Sequence, residues 1–184
     1  MTTTLQALPA QTMYGPSGWT ERLGIAQLVL PGRPEGTPSF ARFEGLRADV
    51  AEILLERLPV ACLGDRQNNA PELGELLNAC VDHPDEVELS GYLVGPGRSD
   101  ERISVDLVSV RSPWTRMMGV NDLSASIEAL PEFWASLPYN PPHTMLWEAT
   151  RKYLGFSPQA EGPDEIELFN QLAGVLGGWW FWWD

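Results

Sequence analysis

Asp65, Arg66, Gln67, Asn68 and Asn69 are five hydrogen-bonding side chains in a row, placed just ahead of an apolar helical pattern. The first turn of a helix leaves backbone N–H groups unpaired, and these favour an anion. In that setting Arg66 would clamp a carboxylate or phosphate, and Gln67 or Asn68 would read an amide. A plainer role competes with this one: a surface loop whose Asn69 caps the helix, with Glu72 three residues on completing a capping box.

Metal chemistry has one candidate set. Cys62, Cys80, His83 and His143 are the only cysteines and histidines, and Cys80 stands three residues before His83. A structural zinc site needs four such ligands in tetrahedral array. Cys80, however, falls on an apolar stripe, and the other two residues have no paired spacing. No metal or other cofactor is expected. Nucleophilic catalysis would need one of the two histidines beside a Ser or Cys and an orienting group. His83 sits instead among Asp82, Asp85 and Glu86, where a charge-paired histidine is the simpler account. No Gly-x-Ser-x-Gly elbow and no phosphate-binding glycine loop is present. No catalytic residue is assigned.

The charge is strongly acidic, with 12 basic and 25 acidic side chains and a formal net charge of −13. Residues 61–110 carry 3 basic and 10 acidic groups. Clustered Lys and Arg, which nucleic-acid backbones and anionic membranes require, are missing. The same balance suits docking on a basic partner, or imitation of a polyanion. Asp82, Asp85, Glu86 and Glu88, with Asp100 and Glu101 across a hairpin, would form such a face. Their commoner role is a solvated acidic surface. The tip Arg98-Ser99-Asp100-Glu101-Arg102 reads as a solvated turn.

The elements that must position these groups follow from periodicity. Residues 1–19 read as an extended arm. Ile25–Leu30 suggests a short strand, and Phe40 and Phe43 lie in a linker after the proline-rich loop 31–38. Leu46, Val50, Ile53, Leu54 and Leu58 make a helical stripe over 46–57, closed by Pro59. Leu73, Leu76, Leu77, Cys80 and Val81 make a second helix, stopped by Pro84. Val87, Leu89, Gly91 and Leu93, then Ile103, Val105 and Leu107, alternate along two strands of a hairpin covered on one face. Residues 122–136 and 143–154 read as helices, the latter with Gly155 just past its end. A last helix is expected from Pro163, with Asp164 and Glu165 in its first turn and Ile166, Phe169, Leu172, Ala173 and Leu176 on its stripe. Gly177-Gly178 ends it. These elements predict an α+β fold over one domain, residues 1–184: a small sheet centred on the hairpin, packed by about five short helices.

The most unusual stretch is Trp179-Trp180-Phe181-Trp182-Trp183-Asp184, which holds four of the eight tryptophans. Five such rings bury roughly 750–1,250 Å², more than the few hundred Å² of apolar patch that a monomer normally exposes. The run is therefore a strand folded into the core or a surface covered by a partner. As a strand it places Trp179, Phe181 and Trp183 on one face and Trp180 and Trp182 on the other. Both faces would be apolar, which predicts burial on two sides beside the 87–110 hairpin and under the last helix.

No stretch is long and apolar enough to span a membrane, and Met1-Thr2-Thr3-Thr4-Leu5 is not a secretory leader. A cytoplasmic protein with free thiols is expected. Eleven arginines against the single Lys152, with many Ala, Gly and Pro, point to a high-GC bacterium or its phage. Absent catalytic motifs and abundant Trp predict a non-enzymatic accessory or structural protein that binds another protein, which the acidic charge suits to be a basic one, or itself. Trp179, Trp180, Trp182 and Trp183 are the candidate contact residues. Two rivals are an acidic inhibitor occupying the nucleic-acid groove of a DNA- or RNA-processing or defence enzyme, and a small-molecule enzyme with its pocket at 65–69.

Overall fold

The computed structural model describes residues 10–32, 40–111, 142–169 and 178–184. The expected helix at 122–136 and the end of the expected last helix, 170–177, lie outside the described residues.

The expected hairpin is the centre of the fold. Strands β2 (Val87–Val94) and β3 (Arg102–Arg111) pair antiparallel, with Leu89 opposite Val108 and Leu93 opposite Ile103. A register shift between Ser90 and Gly91 leaves Asp106 as the extra residue on β3. Among the described residues three further strands, β1 (Phe40–Leu46), β4 (Glu165–Phe169) and β5 (Gly178–Trp182), complete one antiparallel sheet in the order β1-β2-β3-β5-β4.

Strand β1 (Phe40–Leu46) replaces the expected linker. Its core residues, Phe43 and Leu46, are three apart and so break the two-residue alternation that marks a strand. The cause is a shift in pairing between them, where Gly45 takes a left-handed φ of +66°. A bulge of this kind suits glycine, which has no Cβ to clash there.

Ile25–Val29 is a helix, not a strand. It forms α2, following α1 (Trp19–Arg22). Ile25 and Val29, four residues apart, are both buried, as one helical face requires. Five residues are too few for their period to be read from sequence. Helix α3 (Ala48–Arg57) starts two residues later than expected, because Leu46 belongs to β1; it buries Ala51 and Leu54 and ends at Leu58, which is extended because Pro59 follows. A single turn, α4 (Val60–Leu63), leads to the polar run.

Helix α5 (Leu73–Asp82) begins three residues later than expected. Its cap is Glu72, whose side chain receives the N3 backbone while the Glu75 side chain receives the Glu72 backbone. Pro71 explains the delay, since the residue before a proline is pushed out of the helical region. Helix α6 (His143–Tyr153) ends as expected. Phe156 N–H donates to Arg151 O at 2.9 Å, with Gly155 at φ +72° between them.

The expected helix from Pro163 is overturned at its start. Glu165–Phe169 is strand β4, paired with β5 (Gly178–Trp182). Charged Glu165 and Glu167 alternate with Ile166, so the local period is two. An N1 proline followed by acids resembled a helix start, but pairing with the tryptophan strand decided the outcome.

The buried side chains form one cluster between the helices and one sheet face. Leu89, Val108, Phe181 and Ile166 lie side by side across four strands on that face. Cys62 and Cys80 are free thiols inside the cluster, and burial pushes both up to about 12. An exposed thiol titrates near ~8.5, so the folded state holds these protons more tightly. Their contribution to stability is complete below about pH 8.5 and is lost as pH rises toward about 12. The native protein should therefore resist alkylation that labels both thiols in urea. Its urea midpoint should fall between about pH 8 and about pH 10.5. Rapid native labelling at neutral pH would contradict that placement.

Candidate functional site

The sheet's second face presents the other half of the aromatic strand. Cross-strand register builds two rows on it. One runs Glu88, Ser109, Trp180, Glu167, and the other Ser90, Leu107, Trp182, Glu165. Directly opposed side chains in such rows have Cβ atoms about 4.5–5.5 Å apart. Each outward indole therefore has a carboxylate beside it on edge strand β4.

Exposure divides the terminal run sharply. Phe181 and Trp183 are 1% and 2% exposed, whereas Trp180 is 41% exposed. Trp182 is half-buried, and Trp179 is half-buried against the core. Burial on both faces, the expectation for this strand, is thus corrected. Helices cover one face, and Trp180 stands on the other. Trp183 donates its indole N–H to Glu161 O at 3.2 Å and meets Trp147 edge-on at 5.6 Å.

Aromatic pairs occupy both ends of the outer face. Phe169 stacks on Trp180 at 5.8 Å, and Gly178 makes room for it, since a Cβ there would lie 2.8 Å from the Phe169 ring. At the other end Phe40, 54% exposed, stacks on Tyr92 at 5.2 Å. Between them Arg42 forms a two-pronged ion pair with Asp106, at 2.7 and 3.2 Å. That carboxylate raises the Arg42 pKa further. Glu88 is likewise paired, with Arg111 and with Arg47. Glu165 and Glu167 have no ion-pair partner among the described residues. A groove of about 240 Å³ runs between Arg42, Leu107, Glu165, Glu167, Trp180 and Trp182.

Four residues of the polar run at 65–69 are hydrogen-bonded within the chain. The Asp65 carboxylate accepts from Arg66 N–H, and burial together with its hydrogen bond to Asp65 raises the Tyr14 pKa. Arg66 donates to Ala70 O at 3.0 Å and to Glu72 at 2.9 Å. Gln67 accepts from the Tyr92 hydroxyl and from Ser104 Oγ. Asn68 adopts a left-handed φ of +49° and is exposed. Asn69, the expected cap, instead binds the Glu161 side chain at 2.9 Å. The crevice behind the loop, between Gln67, Leu76 and Val105, is too narrow to admit water. Arg66 and Gln67 are thus occupied by this chain's own groups.

The turn at 98–102 is not wholly solvated. Glu101 is 0% exposed, and its carboxylate accepts from Gly18 N–H, Thr20 N–H and Thr20 Oγ at 2.6, 2.9 and 2.7 Å. Residues 10–18 are accordingly folded back in a turn, with Ser17 N–H on Ala10 O, rather than extended. His83 lies tilted against the Tyr153 ring, with centroids 4.5 Å apart. Among the described residues no three metal-capable side chains converge, and no helix is long and apolar enough to cross a membrane.

The sequence marked the tryptophans but not their neighbours. Phe40, Arg42, Glu165, Glu167 and Phe169 reach the same face, and only the alternation at 165–167 signalled any of them. Comparison of the chain with family models, curated proteins and solved structures finds no match.

Proposed function

We propose that this chain is a non-enzymatic accessory or structural protein, of a high-GC bacterium or its phage, that docks another protein on the outer face of its sheet. The supporting observation is Trp180, left 41% exposed on the sheet's outer face while Phe181 beside it is 1% exposed. A large rigid indole in that position adds little to the core. Trp is among the residues that dominate binding hot spots, with truncations costing about 2–4 kcal/mol of affinity. The face also provides the mixed lining of an interface: indoles at the centre, carboxylates and an arginine around them.

The test is affinity purification from cells that express the protein, using wild type and a Trp180→Ser/Trp182→Ser double variant as baits. The expected result is a protein recovered in near-equal amount by wild type and lost by a variant that still unfolds cooperatively. Equal recovery by the two baits would overturn the reading.

A further inference from the structure

Resting on that docking face, we infer that the groove across β4 and β5 receives a cationic side chain, arginine or lysine, from the docked protein. Size comes first. The groove holds about 240 Å³. Pockets for small molecules span roughly 300–1,000 Å³ and enclose most of the ligand. This one suits a side chain laid along a sheet.

Charge decides which side chain. The arginines on the face are already engaged, Arg42 with Asp106 and both Arg47 and Arg111 with Glu88. Glu165 and Glu167 remain uncompensated in the groove wall, opposite Trp182 and Trp180 respectively. Two residues of strand separate these glutamates by about 6.6–6.8 Å along β4. A cation between them would meet an indole ring and a carboxylate at once. Both contacts attract it, the ring through its quadrupole and the carboxylate through a charge-assisted hydrogen bond. A planar guanidinium satisfies the two together better than an ammonium. An anionic or purely apolar side chain would leave the two carboxylates repelled or desolvated without a partner.

The probe is tetra-arginine, with tetra-citrulline as its uncharged counterpart of the same shape. Each is titrated into the full chain carrying ¹⁵N-labelled indoles, at about 0.15 M salt to suppress long-range attraction. The Trp180 and Trp182 N–H signals, assigned with single Trp→Phe variants, should move. Those of Trp19, Trp147 and Trp183 should not. Tetra-citrulline, and a Glu165→Gln/Glu167→Gln variant given tetra-arginine, should each bind roughly tenfold more weakly or worse. Unmoved indole signals, or equal affinity for the two peptides, would overturn the inference. The two proposals fail separately. A native partner lost by the tryptophan variant but kept by the glutamine variant leaves docking intact and removes the cation. A native partner kept by the tryptophan variant removes docking.

Discussion

Trp183→Ala is expected to lower the unfolding free energy by about 3–5 kcal/mol, the range for truncating a buried large aromatic. A whole domain is stable by only about 5–15 kcal/mol, so the variant should be marginal at room temperature. Two losses combine. The ring is 2% exposed and packs against Trp147, so its removal leaves a cavity among large neighbours. The indole N–H no longer binds Glu161 O, in the segment that also meets Asn69. Phe181→Ala should cost a similar amount, because its ring sits between Val108 and Ile166 on adjacent strands. Deleting residues 179–184 should go further and unfold the protein. β5 lies between β3 and β4, so its removal leaves β4 with no strand to pair with. Denaturant midpoints by circular dichroism measure the point variants. A Trp183→Ala midpoint close to wild type would contradict the packing.

Glu101→Ala should cost about 3 kcal/mol or more, three charge-assisted hydrogen bonds at about 1.5–3 kcal/mol each less what water regains. Its carboxylate caps α1 from 81 to 83 residues away, taking the Gly18 and Thr20 N–H groups and the Thr20 hydroxyl. No cation pairs with it among the described residues. Peptide N–H groups and the positive end of α1 replace water around the charge. Removing it leaves the Thr20 N–H and hydroxyl without an acceptor in a buried place, and the Gly18 N–H in a half-buried one. The same turn holds Met13 N–H on Ser99 O and Gly97 N–H on Ser17 Oγ, so the loss should spread. Hydrogen exchange should show amide protection falling over residues 10–22 and little elsewhere. Glu101→Gln, which keeps an acceptor oxygen, should restore part of it. Unchanged protection in Glu101→Ala would remove the capping role.

The legible parts of this fold were those governed by neighbours in sequence. Strand β2 alternates over its eight residues, although on β3 the extra residue Asp106 breaks the alternation and moves Leu107 to the outer face, and α3 and α6 end at a proline and a glycine with known geometric effects. What escaped was set by distant partners. Glu101 has charged and polar neighbours on each side, and its binding sites lie at Gly18 and Thr20. Glu165–Phe169 follows a proline and an acid as a helix would, yet β5 draws it into a sheet. Ile25–Val29 and Phe40–Leu46 are short, and in β1 the bulge at Gly45 breaks the alternation that identifies a strand. The candidate face had the same limit. Trp180 and Trp182 were visible as tryptophans, but the carboxylates beside them come from an element read as a helix. The terminal run also divides its work by parity. Phe181 and Trp183 hold the core, and Trp180 and Trp182 stand on the outer face, where we propose that a partner docks.

That division is tested most directly by measuring, for the partner recovered with wild type, its affinity for Trp180→Ser/Trp182→Ser together with the variant's own unfolding midpoint. The predicted result is a loss of about 100-fold or more in affinity, the equivalent of about 2.7 kcal/mol, with a midpoint near wild type. Affinity within about twofold of wild type, or a variant that unfolds as readily as Trp183→Ala, would contradict it.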